Sequence, residues 1–379
     1  MISVTVLSGL GHAVVVAAGL VVYMMGTRIG QQHRHPSAAM AWVLGIITFP
    51  YLALPLFLFF GTRKFARPAR RERHHAPIVP DGGPPWATRL LAGMELAPAV
   101  PNTRVQMHAD GAQSLQSLLA TIASARRRLE VCTYVFAGDE TGQQIAQALV
   151  GSVRRGVSVR LLVDAMGSMG KAPAMLRALE QQGVQVRRFM PLLHNPLHGR
   201  TNLRNHRKLV VADSQRLWSG GRNLANEYFV DRPGHPAWTD LSYEAHGPLA
   251  EQALVQFNTD WRVAHGLALR KARRPHNTSD LRTPADGALA QWVASGPDHA
   301  DDTVHALLLA AAFHAQQRIV AVTPYFVPDQ ALLDAWCLAC RRGVHVTVLV
   351  PARSNHRLAD IARERALRQL AAAGAQVWL

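Results

Sequence analysis

At 379 residues the chain is long enough for two compact domains and an additional element, while its three cysteines, Cys132, Cys337 and Cys340, are too few for a disulfide-built scaffold. A formal net charge of +16 points to anionic partners (nucleic acid, acidic headgroups or phosphorylated substrates) and excludes an acidic, self-solvating chain. The hydrophobic content of 49% is ordinary, but the long apolar runs are concentrated in the first 61 residues.

Val4–Met25 and Ala39–Gly61 are apolar almost throughout, and each is about 22 residues, enough to cross the roughly 30 Å hydrocarbon core as a helix. A cleaved signal peptide fits the first run poorly, because no basic residue precedes it and no small-x-small exit follows. The expectation is a membrane hairpin over residues 1–75, with helices at about 4–25 and 39–61 and a kink from Pro50 and Pro55. Arg63, Lys64, Arg67, Arg70, Arg71 and Arg73 outnumber Arg28 and Arg34 of the connecting loop, so the positive-inside rule puts the residues after the second helix in the cytoplasm. Residues 76–104, with Asp81-Gly82-Gly83-Pro84-Pro85, read as a linker.

An internal repeat organises the remainder. Arg154-Arg155-Gly156-Val157-Ser158-Val159 matches Arg341-Arg342-Gly343-Val344-His345-Val346, and Leu179–Val186 matches Leu370–Val377. A helical segment and a strand precede each copy, so the alternation predicts an α/β fold of two α-β-α sandwich domains around central sheets. The boundaries expected are a first domain at 105–264, a linker at 265–290 and a second domain at 291–379. Cys337-Leu338-Ala339-Cys340 lies among apolar residues at helical density with no second ligand pair at metal spacing, and reads as core.

The chemistry-bearing stretch is His206-Arg207-Lys208-Leu209-Val210-Val211-Ala212-Asp213, followed by Gly220-Gly221-Arg222-Asn223. Residues 203–212 read as a strand, whose alternation puts His206 and Lys208 on one side with Val210 and Ala212 behind them, and Arg207, Leu209, Val211 and Asp213 on the other. A neutral imidazole is a nucleophile suited to phosphorus, and a fixed ammonium beside it binds non-bridging oxygens and stabilises transition-state charge. Asp213, facing away from His206, is expected to fix local backbone. Gly220 and Gly221 allow close backbone approach to a phosphate, and Asn223 can donate an amide hydrogen bond. No carboxylate cluster implies a metal, and no cofactor is called for. The leaving alkoxide needs a proton, so a second acid is required.

These residues resemble the phospholipase D superfamily and, within it, the bacterial cardiolipin synthases. Similarity extends through Glu227-Tyr228, Trp238-Thr239-Asp240, His246-Gly247-Pro248, Ser295-Gly296-Pro297-Asp298 and Thr323–Asp329, and to the paired N-terminal apolar runs. The resemblance implies duplicated phospholipase D-like domains preceded by a two-helix transmembrane hairpin. It implies a phosphatidyltransferase of the inner membrane, multi-pass, with cytoplasmic catalytic domains. One phosphatidylglycerol would pass its phosphatidyl group through a phosphohistidine to a second, releasing glycerol. His206, Lys208 and Asp213 would form the catalytic motif, Asn223 and Gly221 the phosphate contacts, and Asp240 a carboxylate orienting the histidine of the other half. Phosphatidylglycerol, other anionic phospholipids and the membrane are the implied partners, and the apolar runs weigh against nucleic acid.

The family uses two such motifs in one site, and the 379 residues contain one. His206 follows Val186 by 20 residues, whereas only Trp378 and Leu379 follow Val377. The second domain is therefore expected to be incomplete, cut before its own motif. Two alternatives stay open at this point: a phospholipase D-type phosphodiesterase or nuclease, and a chain that is catalytically inert by itself. His356 has no suitably placed lysine and is not assigned a catalytic role.

Overall fold

The computed structural model describes residues 4–30, 36–61, 64, 84–191, 203–265 and 287–379. Most of the basic cluster expected after the second apolar run, and most of the linker expected at 265–290, lie outside the described residues. The chain divides into two compact units, one of Met1–Arg73 with Ala97–Asp301, the other of His74–Leu96 with Asp302–Leu379.

In the first unit, helix α1 (Val4–Gly30) carries a 19-residue stretch, Gly9–Thr27, long and apolar enough to cross a membrane. The second apolar run differs from the single helix expected. It forms α2 (Pro36–Thr48) and α3 (Pro50–Phe60), which meet at Phe49 with φ −134° and ψ 60°. The cause is Pro50: a proline ring disfavours helical backbone at the preceding residue. Hydrogen bonds from Phe49 N–H to the Gly45 carbonyl and from Ala53 N–H to the Phe49 carbonyl carry the chain through the bend. Tyr23 packs with Ile46, Ala53 and Phe57 at the centre of this helical cluster.

The rest of the first unit is a seven-stranded mixed sheet with helices on both faces. Strands β2 (Arg104–His108), β3 (Arg128–Thr133), β4 (Ser158–Asp164), β5 (Gln185–Phe189), β6 (Leu209–Ala212), β7 (Arg216–Gly220) and β8 (Ser242–His246) lie in the order β2-β8-β7-β6-β3-β4-β5. β3, β4 and β5 are parallel, and β6 joins β3 antiparallel, with Val131 opposite Val210. Helices α5 (Gly111–Ser124), α6 (Glu140–Arg154) and α7 (Pro173–Gln181) supply Leu118, Ile122, Ile145, Leu149 and Leu176 to a core with Val131, Val210, Ala212 and Trp218. Helix α8 (Leu249–Ala264) covers the other face, where Leu209, Val211 and Leu217 meet Ala250, Ala253 and Phe257. Each fully buried Leu or Phe contributes roughly 1.5–3 kcal/mol, so the two-sided burial of β6 fixes its register firmly. A short antiparallel pair, β1 (Val100–Asn102) with β9 (Ala288–Ala290), completes this unit.

In the second unit, α4 (Pro85–Gly93) lies within the stretch expected to be a linker, and its Trp86 stacks on His314 at 4.7 Å. The unit continues with α9 (Thr303–His314), β10 (Arg318–Val322), α10 (Gln330–Arg341), β11 (His345–Leu349), α11 (Arg357–Ala372) and β12 (Gln376–Trp378). The three strands form a parallel sheet in sequence order. Cys337 packs in the core of this unit on α10, with Val346, Val348 and Leu370. The second domain was expected from residue 291, but 287–301 belong with the first unit, for a reason found at the site below.

Asp213, at the turn after β6, has φ +51°, a conformation that an aspartate tolerates better than most residues. Its carboxylate accepts the backbone N–H groups of Arg126, Arg127 and Arg128 at 2.8, 2.9 and 2.8 Å. It thus ties the β6–β7 turn to the start of β3. Burial pushes its pKa up, but the three N–H bonds outweigh that and hold it below the usual carboxylate range. A depressed folded pKa stabilises above the unfolded value and loses that contribution as pH falls through the folded one. Asp213→Ala is therefore expected to lower stability by about 1.5–3 kcal/mol near neutral pH. Denaturant unfolding should show the gap from wild type closing as the pH drops below about 4.

Candidate active site

His206 and Lys208 lie on backbone that is not in the β6 ladder. Regular pairing begins only at Leu209, so the strand expected from residue 203 is shorter than the sequence pattern suggested, with 4 residues in the ladder. The reason is visible in the backbone bonds. Asn205 N–H donates to Asp164 Oδ2 at 2.9 Å, Arg207 N–H donates to Asn205 Oδ1 at 3.0 Å, and the Lys208 carbonyl accepts the Ser219 hydroxyl at 2.7 Å. Side chains, not a neighbouring strand, satisfy this segment. Within β6 itself the expected alternation holds, with Val210 and Ala212 in the core under α5–α7 and Leu209 and Val211 in the core under α8.

His206 is exposed, whereas Lys208 is only 3% exposed. Lys208 Nζ donates to the His206 carbonyl at 2.7 Å and lies 3.0 Å from His206 Nδ1. Among the described residues, no carboxylate lies within ion-pair distance of Nζ. Desolvation pushes the lysine down to about 7. Desolvation, and then the ammonium beside it, push His206 down to about 4, so the imidazole is neutral at physiological pH. The site therefore pairs a neutral imidazole with a buried cation that has no counter-ion among the described residues. Such an arrangement is built to receive an anion.

Tyr134, which sequence reasoning missed, places its ring 4.7 Å from the His206 ring and 5.5 Å from Lys208 Nζ. It follows β3, and no local sequence signal marks it. The turn after β4 packs against it: a Cβ at Gly167 would collide with the Tyr134 carbonyl and lie 2.9 Å from its ring. Asp164, also missed, accepts from Asn205, Met166 and Gly167 backbone N–H groups and so joins the β4 end to the motif.

The Gly220–Asn223 segment takes different roles from those expected. Gly221 was expected to face phosphate; a Cβ there would instead run into the Asp240 carboxylate, so this glycine makes room for Asp240. Asn223 was expected to donate to phosphate. Its Oδ1 accepts Val135 N–H at 3.1 Å and its Nδ2 donates to the Tyr228 hydroxyl at 2.7 Å, so both ends of the amide are engaged. Arg222, 1% exposed, donates to the carbonyls of Tyr228, His108 and Ala109 and to the Ser242 hydroxyl. It is a second buried cation held by neutral oxygens. Asp240 is raised by burial, with Arg222 and Lys208 both close enough to pull it back, and its Oδ1 accepts its neighbour's N–H, that of Leu241, at 2.6 Å. Asp213, placed in the catalytic set by the motif, spends its carboxylate on the backbone amides described above. Among the described residues, no group of three His, Cys, Asp or Glu side chains could hold a metal ion.

The family model for the phospholipase D-like domain of cardiolipin synthases matches residues 118–261 and 308–379. The chain belongs to this family. Cardiolipin synthase A of Pseudomonas aeruginosa strain LESB58 is 32% identical over 348 residues, covering 86% of this chain and 69% of that protein. Cardiolipin synthase A of Pseudomonas entomophila is 30% identical, covering 86% of this chain and 71% of that protein. Among solved structures, the phosphatidylserine synthase of Haemophilus influenzae superposes with a TM-score of 0.53 at 15% identity, over 77% of this chain and 76% of that one. That likeness shows a phospholipase D-like α/β fold.

Lys208→Met tests the buried cation. Below pH 7 the folded protein must keep an ammonium out of water. Between about 7 and 10.4 the unfolded chain binds the additional proton, so this penalty fades as the pH rises. The methionine variant is expected to melt several degrees above wild type at pH 6, with the difference shrinking towards pH 10, and to lose binding of dimethyl phosphate. In the wild type, dimethyl phosphate affinity measured by 31P NMR should fall about tenfold per pH unit above 7, as the free site loses its cation.

Proposed function

We propose that this chain is a phosphatidyltransferase that forms cardiolipin from two phosphatidylglycerol molecules, with His206 as the covalent nucleophile. The observation that carries the reading is the buried, carboxylate-free Lys208 ammonium 3.0 Å from the ring of an exposed, neutral His206. A phosphodiester anion entering the site takes Nζ as its counter-ion and frees the imidazole. A His206 ring nitrogen attacks phosphorus, a P–N bond forms, and the P–O bond to glycerol breaks. The departing alkoxide takes a proton from a second histidine. The glycerol hydroxyl of the second phosphatidylglycerol returns a proton to that histidine. Its oxygen attacks phosphorus, the P–N bond breaks, and His206 is regenerated. Asp240, beside Lys208, is the carboxylate available to orient that second histidine. Asn223 would contribute its amide to phosphate after releasing Tyr228.

The second histidine belongs to a second half-site. In support, the second unit runs α9-β10-α10-β11-α11-β12, the same order as α5-β3-α6-β4-α7-β5 of the first, with three parallel strands in each set. Together with the sequence repeat, this supports duplicated domains. The 379 residues carry one motif, so turnover requires a second motif from elsewhere.

A lipid fits the surroundings of the site better than a nucleic acid does. Trp238 is exposed and lies 4.9 Å from the Tyr228 ring, while Met166 and Met169 are exposed on the turn packed against Tyr134. Apolar side chains at the mouth suit acyl-glycerol, not a second phosphate backbone. The α1 span and the α2–α3 pair packed on it would form the membrane hairpin, with the catalytic units in the cytoplasm as the loop charges indicate.

The test is transfer from labelled phosphatidylglycerol vesicles by the membrane-embedded protein supplied with its second motif. Cardiolipin and equimolar glycerol are expected, along with an acid-labile phosphatidyl-enzyme. His206→Ala should lower the rate by at least 10⁴-fold. Cleavage of single-stranded DNA without a diphospholipid product would sink the proposal, as would synthesis unaffected by His206→Ala.

A further inference from the structure

The residue between the two reacting side chains, Arg207, points to the opposite side of the segment. There its guanidinium enters a buried acidic cluster. Nη1 lies 2.8 Å from Asp260 on α8, and Nη2 lies 2.7 Å from Asp298 and 2.9 Å from the Ser295 carbonyl. The Gln256 amide donates to Asp260 at 3.0 Å and to Asp298 at 2.8 Å, and His299 Nε2 is 3.3 Å from the second Asp298 oxygen. The Asp260 and Asp298 side chains are 1% and 2% exposed. Two carboxylates so deeply buried side by side are costly unless a cation and full hydrogen bonding hold them. The planar fork of an arginine reaches one oxygen of each carboxylate, Asp260 Oδ1 and Asp298 Oδ1, with separate N–H groups, while Asp260 Oδ2 is left without a hydrogen-bond partner among the described residues.

This cluster accounts for the allegiance of residues 287–301 to the first unit. After the 266–286 stretch the chain returns, pairs β9 with β1, and delivers Ser295, Asp298 and His299 to Arg207 and Gln256. Gly296 is required there: a Cβ would sit 2.8 Å from Arg207 Nη2. The placement matters because strand pairing does not aim His206 and Lys208. Their backbone lies outside the ladder, so it is aimed by what its side chains grip, and the Arg207 clamp ties it at once to α8 and to the segment after β9.

We propose that Asp298 is a positioning residue of the reaction: with Asp260 it clamps the Arg207 guanidinium and so fixes the backbone from which His206 and Lys208 project. The proposal rests on the reading of these two residues as the phosphodiester site. Asp298 does not touch the substrate. Its contribution is geometric, and a shift of about 1 Å at a reacting group can cost on the order of 100-fold.

The test uses the whole chain with dimethyl phosphate as the probe, read by 31P NMR. Long-range 1H–15N spectra report the His206 ring, and thermal melting controls for the fold. Asp298→Asn is expected to weaken dimethyl phosphate at least 10-fold and to move the His206 ring resonances at temperatures well below its melting point. Gly296→Ala should do the same with every charge retained, because its methyl displaces the guanidinium. Arg207→Met should match them, and adding Asp298→Asn to it should cost nothing further, since both act through one ion pair. Arg207→Lys should not restore binding. The idea is overturned if folded Asp298→Asn and Gly296→Ala bind like wild type while Lys208→Met does not. Losses that add in the double variant, or that vanish wherever the variants are fully folded, also overturn it. If Lys208→Met itself binds like wild type, the reading of the site fails first.

Discussion

The ammonium of Lys208 is kept out of water with no carboxylate against it among the described residues, and the rest of the site is arranged around that condition. A buried cation must find oxygen or nitrogen lone pairs, and here it finds the His206 carbonyl and Nδ1. Desolvation, and then the ammonium beside it, keep the imidazole neutral, while desolvation alone brings the lysine down to about 7. Arg222 repeats the theme one layer down, a guanidinium held by three carbonyls and a hydroxyl. Asp240 is the carboxylate whose field reaches both cations, and Gly221 exists as a glycine so that it fits. Two desolvated cations thus stand near one carboxylate, an excess of positive charge suited to an anion.

Keeping such a site requires a rigid surround, because folding alone would favour its collapse. The surround comes from three directions. β6 is gripped by cores on both faces. Asp213 binds three amides at the start of β3, and Asp164 binds three more around the β4 turn and Asn205. Arg207 is held by α8 and by the segment after β9. Several residues that carry the family signature therefore act on the backbone of the site and not on the substrate. Asn223 belongs with them, since its amide joins Val135 to Tyr228.

The N-terminal apolar region illustrates a different limit. Composition alone marks both runs, and the first is a continuous helix. The second is bent because Pro50 constrains Phe49, and the bend brings Ile46, Ala53 and Phe57 onto Tyr23. Hydropathy counts residues, whereas the path of a helix depends on a single backbone pair.

The sequence by itself determined the family, the α/β alternation, the identity of the His206–Lys208 pair and the in–out pattern of residues 209–212. Each of these is a local property: a spacing, a period of two, a repeat read along the chain. Strand alternation, by contrast, does not relate Asp213 to His206, because β6 covers only Leu209–Ala212; the carboxylate of Asp213 is taken up by the amides of Arg126, Arg127 and Arg128. Tertiary structure alone decided what each remaining residue touches. Tyr134 stands over His206 because β3 lies next to β6, a neighbourhood no spacing encodes. Asp260 and Asp298 meet on Arg207 from positions 53 and 91 residues away. Residues 287–301 join the first unit because two buried carboxylates and a guanidinium need one another, and that requirement exists only once the chain has folded.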